Sequence, residues 1–167
     1  MFNTFNKDKQ IVDNYIDSCH IHKNNIHLLR YTLSLQDNPK KFLQDFFKDI
    51  GQGSVAVLTE TIVYDEDAYV NAAASQIYNK HRRFYTVHEI LDFIKDDARL
   101  IYFFNFKEVV NIDDIMQHIK DTATWQEIVK LLNDFPDDIK HLLSFKEENG
   151  RLISFELNTA VFILTKK

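Results

Sequence analysis

Cys19-His20-Ile21-His22, with His27 five residues further on, is the most metal-like cluster in the chain. Thiolates and imidazoles are zinc ligands, and a structural zinc takes four of them around one ion. On a helix, Cys19 and His22 share a face three residues apart, while His20 and His27 share another at seven. One helix therefore cannot gather all four. Cys19 and His22 remain as a metal-ligating pair with no further ligands marked, and no metal is expected. The carboxylates form adjacent pairs at Asp96–Asp97, Asp113–Asp114 and Asp137–Asp138. Neighbours along a helix do not face one site, and each pair falls at a helix boundary, where acids complement the dipole. Capping accounts for them better than acid–base chemistry does.

Lys80-His81-Arg82-Arg83 is the one compact basic patch, and Arg83 stands five residues before His88. An Arg-x4-His pair resembles the motif of HEPN-domain ribonucleases, which are helical proteins. The resemblance implies metal-independent RNA cleavage, in which His88 deprotonates the 2′-hydroxyl and Arg83 stabilises the charge developing on the phosphorane. It covers six residues. Phe84 stands where those motifs carry a polar side chain, and a C-terminal hairpin is foreign to that fold. The competing structural role is a basic cluster that closes the preceding helix.

Other signatures of chemistry are missing. Gly51-Gln52-Gly53 precedes a strand instead of opening a helix, so no phosphate-binding loop is indicated. There is no G-x-S-x-G elbow, H-E-x-x-H pair, cysteine pair or calcium loop. No cofactor is expected.

The chain has 167 residues, 45% of them hydrophobic and 27% charged. That is the size and composition of one globular domain with a real core, and a single domain over 1–167 is expected. Phe is abundant at 14, so aromatic packing should carry much of the core. The lone cysteine, Cys19, cannot form an internal disulfide, and no apolar run reaches the length of a membrane helix. A cytoplasmic protein is expected. Lys outnumbers Arg by 15 to 5, which hints at an AT-rich genome such as that of a bacterium or its phage.

The net charge is −5, and residues 86–140 alone hold twelve acids against six Lys or Arg. The acidity belongs to one segment. It argues against nucleic acid as a ligand there and suits a basic protein partner.

The elements that must position these groups show in the hydrophobic spacing. Ile11, Val12, Tyr15, Ile16 and Cys19 fall at helical intervals, as do Phe42, Leu43, Phe46, Phe47 and Ile50 after Asn38-Pro39. The run from Ile26 to Leu33 fits helix or strand and leans to helix. Residues 54–64 are β-branched and predict a strand, followed by a helix from Ala68 to Arg82 and a second strand over Arg99–Phe106. Thr86, Asn111 and Thr124 each open the same layout, with a cap, an acid three residues on and then a helical apolar pattern. Trp125 follows the last of these caps, either as an exposed interface anchor or as a staple against its own helix. Glu148-Asn149-Gly150 between alternating segments predicts a hairpin, and Ala160–Thr165 a more central strand.

Together these features predict an α+β fold, with several amphipathic helices packed on a small, mainly antiparallel sheet that ends in a C-terminal β-hairpin. The function expected from them is a non-enzymatic protein-binding module of the inhibitor, immunity-protein or antitoxin kind. Asp92, Asp96, Asp113, Asp114 and Asp121 would steer a basic partner surface, and Trp125 would anchor it. The alternatives are the ribonuclease built on Arg83 and His88, or a structural subunit of a larger assembly.

Overall fold

The computed structural model describes residues 25–64, 69–71, 83–117 and 122–167. The helix expected over Ile11–Cys19 and most of that over Ala68–Arg82 lie outside them.

Strand β1, Ile26–Arg30, runs parallel to β2, Val55–Ile62, in the register Ile26↔Val55 through Arg30↔Thr59. The lean towards helix at Ile26 is thereby corrected. Five residues, Ile26–Arg30, are the length of a strand, and two parallel strands joined by a helix accommodate them. That connection is α1, Pro39–Asp49. Asn38 caps it by accepting the Lys41 N–H at 2.9 Å, and Pro39 occupies a first-turn position that has no helical partner for an N–H. Leu43 and Phe47 form its buried stripe. Gly53, at φ +79, turns the chain into β2 with a backbone conformation that a side chain would strain.

The remaining strands are β3, Ala98–Asn111, β4, Lys146–Glu148, and β5, Arg151–Lys166. The sheet order is β1-β2-β5-β3, with β4 paired to β5. The β4–β5 pair is antiparallel and turns through Asn149 and Gly150, both at positive φ. The sheet is thus mixed, and the expectation of a mainly antiparallel sheet is corrected. Alternation along a strand reports which face is buried, but not the direction of the neighbouring strand.

The chain divides into two compact units, one of Met1–Glu60, His88–Phe104 and Ala160–Lys167 and the other of Thr61–Val87 and Asn105–Thr159. In the first, Phe47, Leu58, Ile90, Phe162 and Leu164 are fully buried, and Phe103 meets Phe162 at 5.1 Å between ring centroids. Helix α2, Val87–Ile94, contributes Ile90 and Ile94 to the buried set. Lys166 Nζ donates to the carbonyls of Lys48 (3.0 Å) and Ile50 (2.9 Å), placing a cation at the negative end of α1.

The second unit holds α3, Ile112–Met116, α4, Thr122–Asn133, and α5, Asp137–Leu142. Ile128, Leu132 and Phe135 are buried in its core. An aromatic chain runs from Tyr69 through Phe135 and Phe145 to Phe155, with successive centroids 5.7, 5.9 and 5.6 Å apart. Such tilted contacts suit the ring quadrupoles. Among the described residues no helix is long and apolar enough to cross a membrane.

Candidate functional site at the carboxyl ends of β1 and β2

In open α/β sheets ligands bind outside the carboxyl ends of the parallel strands, so the segments leaving β1 and β2 are where chemistry is sought. The chain leaves β1 through Tyr31, a non-glycine residue at φ +51 whose N–H still donates to the Thr59 carbonyl at 2.8 Å. That conformation is sparsely populated for a bulky side chain and needs support from its surroundings. A short 3-10 turn, Leu33–Leu35, follows. It is closed by the Gln36 N–H on the Leu33 carbonyl (3.0 Å) and by the Gln36 side-chain amide on the Thr32 carbonyl (3.2 Å).

The support comes from Glu60 on β2. One of its carboxyl oxygens, Oε1, accepts the N–H of Thr32 at 2.6 Å, the N–H of Leu33 at 2.8 Å and the Thr32 hydroxyl at 3.3 Å. Glu60 is only 2% exposed. Burial pushes its carboxyl up to about 7, and the donors from Leu33, Thr32 and Ser34 only partly counter that rise. The result is a buried group that can hold or release a proton near neutrality, wired to the turn that borders the strand ends.

Glu60 was not among the residues singled out from the sequence. Its signal is a lone acid inside a β-branched, apolar strand, where a Glu is almost never fully buried without partners. Its donors stand 27 and 28 residues away along the chain, beyond the reach of local patterns.

The expected site residues lie elsewhere. Cys19, His22 and Asp121 fall outside the described residues, and among the described residues no cluster of metal-ligating side chains occurs. His27 sits on β1 edge-on to Phe46, with centroids 5.6 Å apart. Arg83 lies over the Tyr85 ring at 5.4 Å in the second unit, while His88 belongs to the first. Phe84 and Tyr85 between them are buried core residues.

Asp92 and Asp96 are exposed residues of the first unit, and Asp113 and Asp114 are exposed residues of the second. Asp92 pairs with Lys95 at 3.1 Å, and that hydrogen bond lowers its carboxyl below the usual range. Asp113 pairs with Arg151 at 2.7 Å, and Asp114 accepts from the Asn111 side chain at 3.3 Å. Trp125 is partly buried against the second core, and α4 begins at Thr122, so Trp125 lies inside the helix and does not directly follow a cap.

No family model matches the chain, and no curated protein resembles it in sequence. Solved structures do resemble it. A Bacillus halodurans protein described as a "putative methyltransferase" superposes with a TM-score of 0.77 at 17% identity, over 84% of this chain and 63% of its own. The YcgJ protein of Bacillus subtilis superposes at 0.72 with 19% identity, over 86% of this chain and 63% of its own. The MccD protein reaches 0.50 at 13% identity.

This likeness overturns the expectation of an inhibitor, immunity protein or antitoxin acting through an acidic face. That expectation rested on missing catalytic motifs, and a strand end held by a backbone turn and one distant carboxylate leaves no local motif in the sequence. The chain spans 63% of the length of each of these two Bacillus proteins, and with them it shares a Rossmann-like fold.

Proposed function

We propose that this chain serves an enzymatic methyl transfer, with the turn Tyr31–Gln36 and Glu60 lying where that chemistry would take place. The observation that supports this reading is the sheet, in which a parallel β1-α1-β2 unit continues through β5 and β3, in a chain that superposes on the Bacillus halodurans protein with a TM-score of 0.77. Methyl transfer requires an acceptor atom to be held in line with a donor, and strand ends with a turn clamped by Glu60 supply that kind of positioning.

A donor such as S-adenosylmethionine carries a nucleoside, which Rossmann-type sheets hold at a glycine-rich turn between strand and helix. The three glycines here do not form one. Gly51 and Gly53 lead into β2, and Gly150 sits in the β4–β5 turn. The residues present therefore do not fit that cradle, and the donor site is not assigned to this chain. Its own contribution is the strand-end edge and the carboxyl behind it. We place the reaction in the cytoplasm, on the grounds that Cys19 has no second cysteine to bridge with.

The test is to add methyl-tritiated S-adenosylmethionine to an extract of the source cell, with and without the purified chain. Label appearing in an acid-stable product only when the chain is present supports the reading. Equal labelling in both samples overturns it.

A further inference from the structure

We propose that the proton on Glu60 switches the turn Tyr31–Gln36 between two arrangements, making Glu60 a positioning residue for the strand-end edge. What the turn serves rests on the methyl-transfer reading; the switch itself rests on geometry. One oxygen of a nearly sealed side chain receives three donors, all from two consecutive residues, and the residue immediately before them is held at a strained positive φ. A carboxylate binds such donors roughly twice as strongly as a neutral acceptor does, so losing the charge loosens the clamp on Thr32 and Leu33. Tyr31 is then less firmly constrained.

Among the described residues, the surroundings leave that proton to Glu60. Residues paired across the parallel ladder share a face, so Arg30, opposite Thr59, projects from the other side of the sheet. His27 is on the same face as Glu60 but pairs with Ala56, ~13 Å back along the strand, where it packs on Phe46. Within the turn Tyr31 is ionisable, with the Arg30 guanidinium over its ring at 5.6 Å, and Asp37 follows the turn. On α1, which touches the turn, the buried stripe is apolar, Lys40, Lys48 and Asp49 are exposed, and Asp45 is bound to Lys41 at 3.1 Å. Neighbouring β5 carries no ionisable residue from Ala160 to Leu164.

The experiment is an NMR titration of the uniformly labelled chain between about pH 5 and about pH 8.5, following the Glu60 carboxyl carbon and the backbone amides. The Thr32 and Leu33 amide protons, together with Leu35 and Gln36, should move with the same midpoint as the carboxyl carbon, near 7. In Glu60→Gln those four movements should vanish while the rest of the spectrum is kept. Two results overturn the proposal: a titration confined to Glu60 itself, or movement of the four amides that survives in Glu60→Gln. Neither readout involves methyl transfer, so the switch and the proposed activity fail or stand separately.

Discussion

Glu60 makes folding stability depend on pH in a direction opposite to the usual carboxylate. Its pKa rises from 4.5 to about 7 on folding, with burial as the main cause. Between those values the folded chain holds a proton that the unfolded chain has released. Stability is therefore highest below the lower value, falls as pH rises through the interval, and levels off above the upper one. At 1.36 kcal/mol per unit, the loss from pH 5 to pH 8 comes to about 2.5 kcal/mol. Gln at position 60 preserves shape and an acceptor oxygen but cannot ionise. Urea denaturation of both proteins at several pH values isolates the effect, because every other titrating group, the depressed Glu156 and Asp92 included, appears in both. With a urea slope of ~2 kcal/mol/M, the wild-type midpoint should fall by ~1.2 M more than that of Glu60→Gln across this range. Parallel pH profiles for the two proteins would refute the argument, since they would mean that Glu60 is ionised throughout.

Other predictions concern single interactions. Phe162→Ala removes a fully buried ring that meets Phe103, and chemical denaturation should show a loss of ~3–5 kcal/mol. Asn38→Ala deletes the cap on α1 and should cost about 1 kcal/mol in the same assay. Breaking the exposed Asp113–Arg151 pair should matter little, with a double-mutant cycle giving a coupling below ~1 kcal/mol. Equilibrium dialysis of the purified chain against S-adenosylmethionine should show no binding in the ~10 μM range; retention of the nucleoside would mean that a cradle without glycines exists here.

The legible parts of the fold were those fixed by neighbours in sequence. Asn38-Pro39 and the Leu43/Phe47 stripe specify α1 without help from elsewhere, and Asn149-Gly150 specifies its turn. The direction of β1 was not legible, because Ile26–Arg30 is compatible with helix or strand until β2 offers it a ladder. The length of β5 was obscured for a related reason. Its first half is unevenly buried while residues 159–164 are buried throughout, so one strand reads as two. The candidate carboxylates among the described residues, Asp92, Asp96, Asp113 and Asp114, are exposed surface groups. The one that matters for the strand-end edge was hidden among Val, Ala, Leu and Thr, and its donors come from the far side of a crossover helix.

The position of β5 also constrains how the chain is made. Residues 151–166 lie between β2 and β3 in the sheet, yet they leave the ribosome roughly 100 and 50 residues after those two strands, at ~5–20 residues per second. For several seconds of synthesis, β2 and β3 must wait with open backbone edges and uncovered apolar faces. A nascent chain stalled before position 151 is thus a template for aggregation, and holdase chaperones should bind such stalled chains far more strongly than the finished one.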